Sequence, residues 1–141
     1  MKRRRRTKIL IEGEPILAKE MAKEITDKYK WQQVVEPRIG LTMVKVRETA
    51  QNSLFYLGEV LMSEAKVEVQ GAIGIGLAMG DVQDFAQHLA IIDAAYVLEL
   101  EETKGWNDKL LLEEKKIERD RAKEQHQLFQ TKVNFETMDI D

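Results

Sequence analysis

Cysteine is absent from the 141 residues. That excludes a disulfide framework, a thiolate metal site and a cysteine nucleophile. Histidine occurs only as His88 and His126, too few for a histidine-rich ligand set, and serine only as Ser53 and Ser63, neither within a nucleophile elbow. Long apolar runs are missing as well. Ile9-Leu10-Ile11 ends at Glu12, well short of the roughly 7–15 apolar residues of a secretory leader. No window reaches the roughly 18 of a membrane span. A soluble, cytoplasmic protein that meets no membrane is therefore expected.

What is present is ordinary for a folded chain: 43% hydrophobic and 33% charged residues, enough for one domain that buries about two thirds of its unfolded surface. Charge is uneven. Six of the 22 basic residues (Lys2, Arg3, Arg4, Arg5, Arg6, Lys8) lie in the first ten positions and none of the 25 acidic ones does, leaving 16 basic against 25 acidic residues for the remainder. A nucleic-acid groove needs a distributed basic face, so the Arg3–Arg6 run reads as a solvated or partner-facing terminus and no nucleic acid is expected.

The pattern along the chain is α+β. Residues 15–30 read as a helix opened by Pro15, with Ile16, Leu17, Met21 and Ile25 on one stripe. Residues 31–38 form a strand broken by Pro37, and residues 41–48 and 54–62 two more. Residues 64–70 alternate, with Ala65, Val67 and Val69 inward. In residues 72–80 Ile73, Ile75, Leu77 and Met79 share one face and Gly74, Gly76, Ala78 and Gly80 the other, as where a backbone must approach closely. A meander-like antiparallel sheet of about four or five strands follows. A second helix is expected over residues 82–101, with Asp81 as its N-cap. It is apolar nearly all round, so its cover is expected from several sides, a second subunit among them. Gly105 should break it. A charged helix over residues 108–132 follows, in which ten of the fifteen residues 113–127 are charged. Such a helix cannot hold strongly to its own core and reads as an arm. The expected organisation is one domain: a basic segment 1–12, a body 13–104, and an arm and tail 105–141.

Little chemistry is encoded. The stretch from Gly74 to Asp81 lacks the Gly-Lys-Ser/Thr of a phosphate loop, and Asp81 would repel an anion. Asp84 and His88 stand i, i+4 on one helix face, but no third ligand accompanies them locally. Asp93 is conspicuous as an acid in an apolar helix. It must be hydrogen-bonded or ion-paired, within the fold or across an interface, or else used in acid–base work.

The segments Arg47-Glu48-Thr49-Ala50, Phe55-Tyr56-Leu57-Gly58-Glu59-Val60-Leu61, Gly80-Asp81, and Leu89-Ala90-Ile91-Ile92-Asp93-Ala94, with Thr131-Lys132-Val133-Asn134-Phe135-Glu136-Thr137-Met138 at the end, resemble the PhnG family in order and spacing. That family is the G subunit of the bacterial carbon–phosphorus lyase core complex. Glu136 and Asp139-Ile140-Asp141 depart from its usual ending, and the Arg3–Arg6 run is no feature of it. The resemblance implies a non-catalytic subunit of a transferase complex in phosphonate catabolism. Its partners would be H-, I- and J-type subunits and an L protein, with self-association inside the assembly. The assembly would form alpha-D-ribose 1-methylphosphonate 5-triphosphate from a nucleoside triphosphate and a phosphonate. Nucleosidase-type activity falls to the I subunit. An iron–sulfur cluster and S-adenosylmethionine are expected on J, and no cofactor or metal on this chain. The expected interface residues are Asp93, Phe85, Leu89, Ile92, Tyr96, Phe135 and Met138. Two other readings stay open: a small stand-alone enzyme using Asp93, Asp84 and His88, and a polyanion-binding adaptor using the arginine run.

Overall fold

The computed structural model describes the backbone of residues 1–138 and the side chains of residues 1–134, so the interface expected at Phe135 and Met138 lies outside the described side chains. Two helices, α1 (Arg3–Glu12) and α2 (Pro15–Thr26), precede three strands, β1 (Trp31–Arg47), β2 (Leu54–Val69) and β3 (Ala72–Met79); α3 (Gln83–Val97) and the 38-residue α4 (Glu101–Met138) complete the chain. The sheet is antiparallel in the order β1-β2-β3, with helices on one face. Three strands, not four or five, are found among the described residues.

The strand count falls because two expected breaks do not occur. Pro37 sits in the edge strand, where the register shifts between Val35 and Arg38 so that Glu36 and Pro37 together oppose Ala65. At an edge bulge the missing N–H of proline is not needed by the ladder. Residues 54–62 and 64–70 likewise merge into β2, because Ser63 stays in strand register and turns its side chain inward, fully buried. Gln70 and Gly71, with φ of 48° and 84°, close the β2–β3 hairpin in two residues, the mirror-image turn that matches strand twist.

Helix α3 lies directly on the glycine face of β3. A Cβ at Gly74 would meet the Ala90 carbonyl and stand 2.5 Å from the Ala94 nitrogen; one at Gly76 would meet the Ala86 carbonyl. The opposite side chains Ile73, Leu77 and Met79 are exposed. Residues 89–95 of α3 are all buried, covered by α2, β2 and β3 of the same chain with support from α1 and α4. No second subunit is needed for that cover. In α2 the buried stripe is Ala18, Met21, Ala22 and Ile25, while Ile16 is exposed.

The α3–α4 junction also departs from expectation. Asp81 is not the cap of α3: Val82 is, without a side-chain cap bond, and its N–H donates instead to Ser63 Oγ at 2.9 Å, while the Ser63 hydroxyl donates to the Gly80 carbonyl at 2.6 Å. The helix ends at Val97 rather than at Gly105. Glu99 takes φ 53°, with Leu100 N–H donating to the Ala95 carbonyl and Glu99 N–H to the Tyr96 carbonyl, the paired bonds of a Schellman stop. Gly105 is absorbed inside α4, because Thr103, Trp106 and Leu110 are buried on either side of it and packing outweighs the roughly 1 kcal/mol that a mid-helix glycine costs. No helix among the described residues is long and apolar enough to cross a membrane.

Candidate functional site

Asp93 faces the N-terminal helix. Arg6 Nη2 donates to Asp93 Oδ1 at 2.7 Å, Arg3 Nη2 to Oδ2 at 3.0 Å, and the backbone N–H of Ile75 to the same Oδ2 at 3.0 Å. The carboxylate is thus satisfied by two guanidinium groups and one edge-strand amide, all within the chain. Arg6 is 5% exposed and stacks over the Tyr96 ring at 4.3 Å from its centroid. Burial pulls the Arg6 pKa below its ordinary value while Asp93 opposes the shift; burial raises that of Tyr96. Tyr96 in turn packs on Trp106 with centroids 5.9 Å apart and donates its hydroxyl to Asn107 Oδ1 at 2.9 Å. Trp106 Nε1 donates to Glu24 Oε2 at 3.0 Å. The cluster therefore ties α1, α2, β3, α3 and α4 together. The Asp93 carboxylate is shared by two guanidinium groups, and Glu24 is taken by Trp106 and Lys109.

The expected site residues do not converge. Asp84 and His88 line an open groove with Pro15, Ile16 and Lys19, and Asp93 lines a different cavity with Arg3 and Arg6. His88 is pulled below its ordinary pKa chiefly by burial, with Asp84 opposing and Lys19 assisting. Among the described residues no three His, Asp or Glu side chains are grouped to hold a metal ion. Leu89 and Ile92, 5% and 1% exposed, are used inside this chain's own core, and only Phe85 and Tyr96 of the expected α3 set keep partial exposure. The arginine run is not a free tail: Arg6 is buried, Arg3 is paired to Asp93, and Arg5 makes a two-bond contact with Glu114 at 3.1 and 2.6 Å. The sequence reading missed α1 itself. Arg6, Ile9 and Leu10, its three buried residues, are spaced i, i+3, i+4, which was the available signal.

The apolar side chains without cover lie elsewhere. β1 and β2 outrun β3, which pairs only with residues 62–69 of β2. The overhanging hairpin of residues 39–47 and 54–61 extends about 27 Å at 3.4 Å per residue. It exposes Leu41 (66%), Leu57 (64%), Met43, Leu54, Phe55 and Tyr56. Every residue from 118 to 134 of α4 is also exposed. By the strand register these apolar side chains fall on both faces of the hairpin, Phe55 with Val46 on one and Leu54 and Tyr56 on the other. The family model described as "Phosphonate metabolism protein PhnG" matches residues 1–139. The chain belongs to the PhnG family. No curated protein matches it. In this PhnG-family chain the hairpin tip and the distal α4 are exposed, as are Ile73, Leu77 and Met79 on the outer face of β3.

Proposed function

We propose that this chain is a non-catalytic assembly subunit of the carbon–phosphorus lyase system, acting in the cytoplasm. The observation that carries the reading is the overhanging β1–β2 hairpin, whose exposed leucines and aromatics have no cover in this chain. Its occupant would be the I-type subunit, with H- and J-type subunits and the L protein completing the assembly. Further copies of this chain would enter through the α4 arm. The iron–sulfur cluster and S-adenosylmethionine would belong to the J-type partner. The role would be positional. Docking of the hairpin orders the I-type partner's loops, excludes water, and lets a phosphonate rather than water displace the base of a nucleoside triphosphate. The product would then be alpha-D-ribose 1-methylphosphonate 5-triphosphate.

The test is product analysis of the I-type subunit with H- and L-type partners, with and without this chain, and with a Leu41→Glu/Leu57→Glu variant. Both substitutions sit on exposed positions, so the variant should fold as the parent does. The expected result is phosphonate transfer with the parent chain, and hydrolysis alone without it or with the variant. Unchanged product ratios in all three mixtures would remove the role, and turnover by this chain alone would replace it.

A further inference from the structure

The helix that neutralises Asp93 is the least self-sufficient element of the fold. At ten residues it is shorter than the roughly 12–15 that an isolated helix needs to persist in water. Its charges oppose its own dipole: the first four residues are all arginine, no acid lies in the first turn, no base lies in the last, and Glu12 closes it. Lys2 caps it without a side-chain hydrogen bond. Only Arg6, Ile9 and Leu10 are buried. Beneath it lies a cavity of about 160 Å³, lined by Thr7, Leu10, Ile75, Leu77, Leu89 and Ile92 among others, so its apolar packing is incomplete. Beyond the burial of Ile9 and Leu10 in the core, what holds it is charge: Arg3 and Arg6 to Asp93, Arg5 to Glu114 at 2.6 Å, and Glu12 to Arg121 at 2.9 Å.

We propose that α1 is a charge-held strap, which leaves the molecule as a unit at raised ionic strength while the sheet and α3 stay folded. Its departure bares a seam between α3 and the outer edge of β3, with Asp93 at its centre and the Ile75 N–H beside it. This inference stands apart from the assembly role above, since it rests on the contacts of α1 and not on the hairpin. Salt favours release because the mutual repulsion of four adjacent arginines in the open form, and the exposed pairs of Arg5 with Glu114 and Glu12 with Arg121 in the closed form, fade as the Debye length falls from about 10 Å at 0.1 M to 3 Å at 1 M, while the buried Arg6–Asp93 pair is screened much less.

Amide hydrogen exchange on the full chain at these two salt concentrations tests it. The expected result is that amides 7–12 exchange about ten-fold faster or more at about 1 M than at 0.1 M salt, while amides 86–95 of α3 hold their rates within about two-fold. An Arg3→Gln/Arg5→Gln variant, altered only at side chains that are about half exposed or more, should show the fast α1 exchange already at low salt. It leaves Arg6, Asp93, Ile9 and Leu10 unaltered, so no buried side chain is changed. Asp93→Asn should remove the salt dependence, with α1 open at both concentrations. If α1 exchanges only together with α3, or at a rate indifferent to salt in the parent chain, the strap does not exist.

Discussion

A methyl group added at Gly76 would run into the Ala86 carbonyl and lie 2.7 Å from the Ala90 nitrogen, both backbone atoms of α3 that cannot move alone. At Gly40, out on the overhanging hairpin, the same methyl would meet nothing within 4 Å. Gly76→Ala should therefore cost about 3 kcal/mol or more, at the upper end of overpacking, whereas Gly40→Ala should be neutral or stabilise by a few tenths to about 1 kcal/mol through the unfolded chain. Chemical denaturation of the two variants checks this; equal midpoints would mean that α3 does not sit on the glycine face. The close approach was legible, because alternating glycines in a strand have few other uses. That Asp93 needed a hydrogen-bond or ion-pair partner was legible too. Its identity was not: Arg6 stands 87 residues away, in a run whose composition suggested a solvated tail, and local spacing carries no information about which distant charge a fold brings home.

Boundaries were the weakest part of the reading, and each failure has a cause in a neighbouring element. Pro37 reads as a strand break because proline removes a ladder donor. The sheet order puts it on an edge where that donor is not missed. Gly105 reads as a helix break because glycine favours the coil, yet Trp106 and Leu110 anchor the helix through it. The real stop is Glu99, a residue with no stop propensity, held at φ 53° by the two Schellman bonds. A residue with a Cβ in that region carries roughly 1–2 kcal/mol of strain. Glu99→Gly should release about 1 kcal/mol and raise the melting temperature by about 2–8 °C for a chain of this size, with no change in α3 or α4. A lowered melting temperature would show that the Glu99 side chain contributes more than its backbone costs.

At the scale of the whole molecule, the fold separates a core that is complete in one chain from two projections that are not. Helix α3, backed by α1, α2 and the first part of α4, covers one face of the three-stranded region of the sheet. The hairpin tip and the distal α4 leave it in the open. The charged composition of α4 announced the second projection, since a helix without an apolar stripe has nothing to bury; the first was hidden, because an apolar hairpin reads like any core strand until its neighbours are known. Beyond Ile117, α4 contributes no buried residue up to residue 134. Its ion pair from Arg121 to Glu12 is exposed, with Arg121 at 53%, and worth at most about 1 kcal/mol. Ending the chain after Ile117 should thus shift the melting temperature by no more than about 2–8 °C and keep the circular dichroism of the sheet. If the arm is an assembly element, the truncated chain should fail to form the multimeric complex that the full chain forms with its partners, seen as an earlier-eluting peak that is lost on size exclusion. A truncated chain that assembles normally would assign docking to the hairpin alone. One that melts far below the parent would mean that the arm folds back onto the body in solution, against the exposure of every residue from 118 to 134.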